Sequence, residues 1–110
     1  MRPPLDTPGS PRNVAGVSAP LSTPAIQEAL RGLPGWSIAG DALEKTFELA
    51  DFSAALGLIV RIGLEAEKLN HHPHLTNVWN RVTLRLSTHD AGNRVTANDV
   101  ALARAIEKLQ

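Results

Sequence analysis

The sequence predicts an α+β fold, with antiparallel strands lying under helices in the order α-β-β-α-β-(β)-α. Three observations predict it. Apolar residues recur at helical spacing in three separate segments, around Ile26–Leu33, Phe52–Leu69 and Leu102–Leu109. Between these segments stand runs of strand character, Trp36–Ala39, Leu43–Leu49 and Val78–Thr88. Gly, Pro, Asp and Asn punctuate the joins between them.

Residues 1–20 read as a disordered leader, with residues 21–110 as the folded domain. Five of the eight prolines (Pro3, Pro4, Pro8, Pro11, Pro20) fall in the leader among Ser, Gly and Thr. Such a stretch has too little apolar surface to offset the entropy of ordering it. Thr23 followed by Pro24 has the form of an N-cap with proline at the first helical position. Ile26, Ala29, Leu30 and Leu33 then share one helix face, and Gly32, Pro34 and Gly35 stop the helix. Gly40-Asp41 joins the first two strands as a hairpin turn. Asp51 caps a longer helix whose stripe runs Phe52, Ala55, Leu56, Ile59, Ile62, Gly63, Ala66 and Leu69.

Pro73 ends that helix, because proline pushes the residue before it out of the α region. His72 is therefore expected to be extended, with His71 still on the last helical turn. Val78–Thr88 follows as one long strand, with Val78, Val82, Leu84 and Leu86 on the inner face and Asn80 interrupting it. Trp79, Arg81, Thr83, Arg85 and Ser87 take the other face. Turn chemistry covers His89–Asn93, and a short strand is expected at Arg94–Val95. Thr96 to Asp99 matches a capping box before a last helix with Leu102, Ala103, Ile106 and Leu109 inward.

Composition narrows the function. A chain of 110 residues fits one domain with one modest core. Eleven basic and eleven acidic residues balance to zero, which leaves no electrostatic footprint for nucleic acid. The absence of cysteine excludes disulfides, thiolate nucleophiles and cysteine-based zinc sites. No apolar run approaches the roughly 18 residues that span a bilayer, and the N-terminus lacks the apolar stretch of a secretory signal. The expectation is a soluble cytoplasmic domain without a membrane partner.

All four histidines lie in the second half of the chain, three of them in His71-His72-Pro73-His74 and the fourth at His89. Histidine both gives and takes protons near neutrality, so the cluster points to acid–base chemistry or to a metal. For a metal, His72-x-His74 on an extended segment with His89 would form a three-histidine set. No carboxylate or cysteine completes a conventional metal pattern, and the site is read as metal-free. For acid–base work, Glu67 stands one turn before His71 and is placed to hold that ring. His72 would contact a ligand, and His89 would face His71 across a cleft, two imidazoles acting as acid and base in one elimination. Each residue also has a plain structural reading: Glu67 as a solvated helix carboxylate, Asp99 as a cap, Trp79 as strand packing.

The spaced set Glu67, His71-His72-Pro73, Trp79, His89 and Asp99 resembles the signature of the pterin-4a-carbinolamine dehydratases. Gly35-Trp36, Phe47, Asp51-Phe52 and Ser87-Thr88-His89-Asp90 add landmarks, and the likeness covers about residues 33–109. The resemblance implies a four-stranded antiparallel sheet with helices on one face. It implies dehydration of 4a-hydroxytetrahydropterin to quinonoid dihydropterin, the 4a-hydroxytetrahydrobiopterin dehydratase reaction, with no cofactor and no metal. His71 and His89 would handle the protons of the departing 4a-hydroxyl and of N5. His72 would chiefly hold the pterin, with Glu67, Pro73, Trp79 and Asp99 in support. It also implies a homodimer or homotetramer and service to pterin-dependent aromatic amino-acid hydroxylases. The alternative is a non-catalytic protein-binding module, a Rubisco or carboxysome assembly factor or a transcription coactivator. Leu56, Leu58, His74-Leu75, Asn93 and Asn98 depart from the family's usual residues.

Overall fold

The computed structural model describes residues 19–110. All but the last two residues of the expected leader, 1–20, therefore lie outside the described residues. The chain is tied into the fold from Leu21, whose N–H donates to the Val95 carbonyl at 2.9 Å.

Helix α1 spans Thr23–Leu30, and its N-cap is Ser22 rather than Thr23: the Ser22 hydroxyl accepts the Ala25 N–H. Strands β1 (Ser37–Ala39) and β2 (Ala42–Glu48) form the expected hairpin around Gly40-Asp41, with Gly40 at φ +63°. Helix α2 spans Phe52–Leu69, capped by Asp51 Oδ1 accepting the Ala54 N–H at 2.8 Å. Strands β3 (His74–Val78) and β4 (Arg81–Leu86) follow, then a 3-10 turn at His89–Ala91 and helix α3 (Ala97–Glu107). The sheet order is β1-β2-β4-β3, antiparallel throughout. The fold is thus the expected α+β arrangement, but the fourth strand is not the expected one.

The expected single strand over Val78–Thr88 is a hairpin broken at Trp79-Asn80, with Val78 paired to Arg81. Trp79 takes a left-handed backbone at φ +51°. Asn77 Nδ2 reaches the carbonyls of Trp79 and Arg81, and Asn80 Nδ2 donates to the Leu49 carbonyl. Two asparagines thereby satisfy backbone groups that a continuous strand would have paired. The reversal also puts Val78 on the outer face, 68% exposed, against its expected inward place. Arg94–Val95 forms no strand, only one bridge from Arg94 to Thr88.

The core lies between the sheet and helices α2 and α3. Leu43 and Phe47 of β2 and Val82, Leu84 and Leu86 of β4 face inward against Ala55, Leu58, Ile62 and Ala66 of α2 and Val100, Leu102, Ala103 and Ile106 of α3. The alternate residues carry the polar outer face, where Glu44 pairs with Arg85 and Glu48 with Arg81. The α2 stripe is rotated from its expected line. Leu58 is buried, whereas Phe52, Leu56 and Leu69 are exposed, and Val60 and Leu64 join the first two in an outer apolar row. One polar group enters from the sheet: the Lys45 ammonium lies beneath Gly35 and donates to Glu107 at 2.7 Å and to the Pro34 carbonyl at 2.8 Å.

Candidate active site

Asn70 decides where the histidines point. It closes α2 in the left-handed conformation, φ 50°, and its N–H reaches back to the carbonyls of Ala66 and Glu67. The His71 N–H then donates to the Ala66 carbonyl at 3.0 Å, completing a C-terminal cap of the kind asparagine tolerates. His71 is therefore past the helix, not on its last turn as the proline rule alone suggests. His71, His72 and Pro73 form a short non-helical link into β3.

The carboxylate expected beside His71 is found beside His72, and a different one holds His71. His71 Nε2 lies 2.5 Å from Asp99 Oδ1 at the start of α3. Glu67, placed by spacing to hold His71, instead meets His72, Nε2 to Oε1 at 3.0 Å. The left-handed residue turns the chain by more than a helical step, so i,i+4 spacing no longer applies beyond Leu69. The environments differ as much as the partners. The His71 side chain is 14% exposed and Asp99 is wholly buried, whereas His72 and Glu67 both stand in solvent.

Asp99 is the capping-box residue its spacing predicts, and more. Its Oδ2 accepts the Thr96 N–H at 2.8 Å and the Thr88 hydroxyl at 2.8 Å. The Thr88 and Thr96 hydroxyls are 2.7 Å apart, and Thr96 Oγ1 accepts the Asn98 N–H. One buried carboxylate therefore joins the loop after α2, the end of β4 and the start of α3. Thr88 and Thr96 escape a sequence reading of the site. The capping box signals Thr96, but nothing local reveals that the Thr88 hydroxyl crosses to Asp99.

His89 follows Thr88 directly and opens the 3-10 turn with its side chain exposed. The Thr88 carbonyl accepts the N–H groups of Ala91 and Asn93, which fixes this turn. The end of β4 bearing His89 is thus anchored on the carboxylate that holds His71. Trp79 is not brought to this place. It sits 67% exposed at the opposite end of β3 from Pro73, roughly 15 Å of extended strand away. His74 lies on the outer sheet face opposite Arg85. Among the described residues no group of three or more His, Asp or Glu is placed to hold a metal ion.

A cavity of about 430 Å³ lies elsewhere, between α1, the β1–β2 turn and Arg94–Val95, and no histidine lines it. Among the described residues no helix is long and apolar enough to cross a membrane.

The sheet order, the helices on one face and a histidine pair whose first member is braced from α3 define a class of small α+β proteins with a histidine site. Residues 19–109 match the family model described as pterin 4 alpha carbinolamine dehydratase, and the chain belongs to that family. A relative assigned as a pterin-4-alpha-carbinolamine dehydratase in Opitutus terrae is 53% identical over 89 residues, covering 81% of this chain and 92% of its own. One so assigned in Rhizorhabdus wittichii is 47% identical over 92 residues, covering 82% and 94%. A crystal structure described as a transcriptional coactivator/pterin dehydratase from Brucella melitensis superposes with a TM-score of 0.77 at 39% identity. It covers 82% of this chain and 97% of that one.

Proposed function

We propose that this protein dehydrates a 4a-hydroxytetrahydropterin, 4a-hydroxytetrahydrobiopterin among the candidates, to the quinonoid dihydropterin. In that reaction the 4a C–O bond breaks as the hydroxyl takes a proton and leaves as water. N5 gives up its proton as its lone pair forms the new double bond, so atoms and charge balance. The reaction needs one group that donates and one that accepts near neutrality, a role suited to two imidazoles. The observation that carries the reading is the bracing of both ends of the site, His71 and the His89 turn, on the single buried carboxylate of Asp99. His71 and His89 are assigned the proton transfers. His72, exposed and paired to Glu67, is assigned contact with the pterin.

The family membership supports this reading, as does the presence in one chain of Glu67, His71, His72, Pro73, His89 and Asp99. The same reading makes the protein a cytoplasmic member of a pterin-recycling pair with an aromatic amino-acid hydroxylase. It also makes it a homodimer or homotetramer. The outer row of α2, Phe52, Leu56, Val60 and Leu64 at 45–62% exposure, favours association through that helix. The same apolar row favours the second reading, a protein-binding module in which that face engages a different partner.

The deciding experiment supplies purified protein with enzymatically generated 4a-hydroxytetrahydropterin and follows quinonoid dihydropterin by absorbance against the spontaneous rate. Acceleration proportional to protein concentration is expected. A folded protein that leaves the spontaneous rate unchanged overturns the dehydratase reading in favour of the module.

A further inference from the structure

His71 meets Asp99 through Nε2, and the polarity of the hydrogen bonds behind that carboxylate bears on which ring nitrogen carries the proton. We infer that a one-way relay, from the start of α3 through Thr96 and Thr88 to Asp99, fixes His71 as its Nε2–H tautomer and leaves Nδ1 to exchange protons with the substrate. Thr88 is the positioning residue of this relay.

The direction follows from the groups that cannot reverse. The backbone N–H of Asn98 only donates, and it meets Thr96 Oγ1 at 3.2 Å. The backbone N–H of Thr96 only donates, and it meets Asp99 Oδ2 at 2.8 Å. Thr88 spends its single hydroxyl proton on the same Oδ2, at 2.8 Å. The 2.7 Å contact between the two hydroxyls is then filled by the proton of Thr96, and Thr88 accepts it. Every donor runs toward Asp99, which is wholly buried, so no water competes for its oxygens. Oδ1 is left for His71 alone. Asp99 accepts from every other group it meets, the behaviour of an ionised carboxylate, so the hydrogen in that 2.5 Å contact is carried by Nε2. A neutral imidazole carries one N–H, and Nδ1 is then the acceptor.

Thr88 also acts through its backbone. Its N–H donates to the Arg94 carbonyl at 2.8 Å, and its carbonyl holds the turn that begins at His89. A single threonine thus sets the ring of one histidine through Asp99 and the mounting of the other through the main chain. What Nδ1 does in catalysis rests on the dehydratase reading; the tautomer itself does not.

The test uses the full-length protein labelled with 15N and long-range 1H–15N spectra of the histidine rings, at a pH where His71 is neutral. Wild type and Thr88→Ser are expected to show a protonated Nε2 and a bare Nδ1. Thr88→Val, equal in size but without the hydroxyl, is expected to show a mixture of tautomers. In the dehydratase assay Thr88→Val should lose about tenfold in kcat, the worth of one hydrogen bond to a charged group, with KM within about twofold. Thr88→Ser should restore most of the loss. A wild-type His71 protonated on Nδ1 overturns the inference, and so does a Thr88→Val ring spectrum identical to wild type. The wild-type spectrum decides the tautomer even should Thr88→Val not fold. Wild type with the Nε2–H tautomer but no dehydratase activity overturns the proposed function and leaves the relay standing.

Discussion

His71 Nε2 and Asp99 Oδ1 meet at 2.5 Å across 28 residues of chain, and Asp99 has no exposed surface. This contact closes the open end of α2 against the start of α3. It makes Asp99 both a helix cap and the support of the candidate acid–base histidine. Asp99→Asn keeps the size of the side chain but offers one accepting oxygen and one donating amide. The amide must face either His71 or the donors Thr88 and Thr96. We expect kcat to fall by about a hundredfold or more, as when the orienting carboxylate of a catalytic histidine is neutralised. Stability should drop by about 1–3 kcal/mol from the donor left unpaired. Steady-state kinetics and urea unfolding measure the two effects separately.

The proposed division of labour among the histidines is open to test by kinetics. His89→Ala is expected to lower kcat far more than it raises KM, whereas His72→Ala should chiefly raise KM. The reverse pattern would exchange their assigned roles. Glu67→Gln should change stability by no more than about 0.5 kcal/mol, because its pair with His72 is exposed on both sides. Initial-rate kinetics across substrate concentration, with urea midpoints, check all three.

Glu107 serves stability at a distance from the site. Its Oε2 accepts the Trp36 indole N–H at 2.9 Å and the Lys45 ammonium at 2.7 Å, which fastens the end of α3 to β2 and to the segment before β1. Glu107→Ala takes the acceptor from an indole N–H and the counter-charge from a mostly buried ammonium, which keeps the Pro34 carbonyl. A loss of about 2–3 kcal/mol is expected, with kcat unchanged at temperatures where the variant is folded. Chemical denaturation beside an activity assay tests both parts.

Trp79 carries a backbone conformation that favours glycine, and its ring is mostly in solvent. Trp79→Gly relieves that φ while discarding little buried surface. An increase in stability of about 0.5–1 kcal/mol is expected. Since the hairpin tip lies at the far end of β3 from Pro73, kcat and KM should stay within about twofold. A large rise in KM would place Trp79 in the binding surface after all.

Much of this was legible because it is local. The Asp51 cap, the Gly40-Asp41 hairpin and the Thr96–Asp99 capping box each depend on neighbouring residues, and the structure has them. The β3–β4 hairpin was legible in principle, since Asn77 and Asn80 are turn formers. A run of Val, Trp, Val and Leu reads more strongly as one strand, because alternation does not reveal where a chain reverses. The end of α2 turned on Asn70 for the same reason: proline announces that a helix must stop but not how its last carbonyls are satisfied.

The α+β class, the caps at Asp51 and Thr96 and the candidate site residues, among them the His71-His72 pair and Asp99, can be read from the chain alone. These follow from short-range sterics, capping and spacing. Which carboxylate serves which ring, the separation of Trp79 from the histidines and the reach of Thr88 to Asp99 emerge only when the chain is packed. Such pairings depend on where packing of α2 and α3 against the sheet brings distant segments. Spacing along the chain carries no record of a hydrogen bond made across the core.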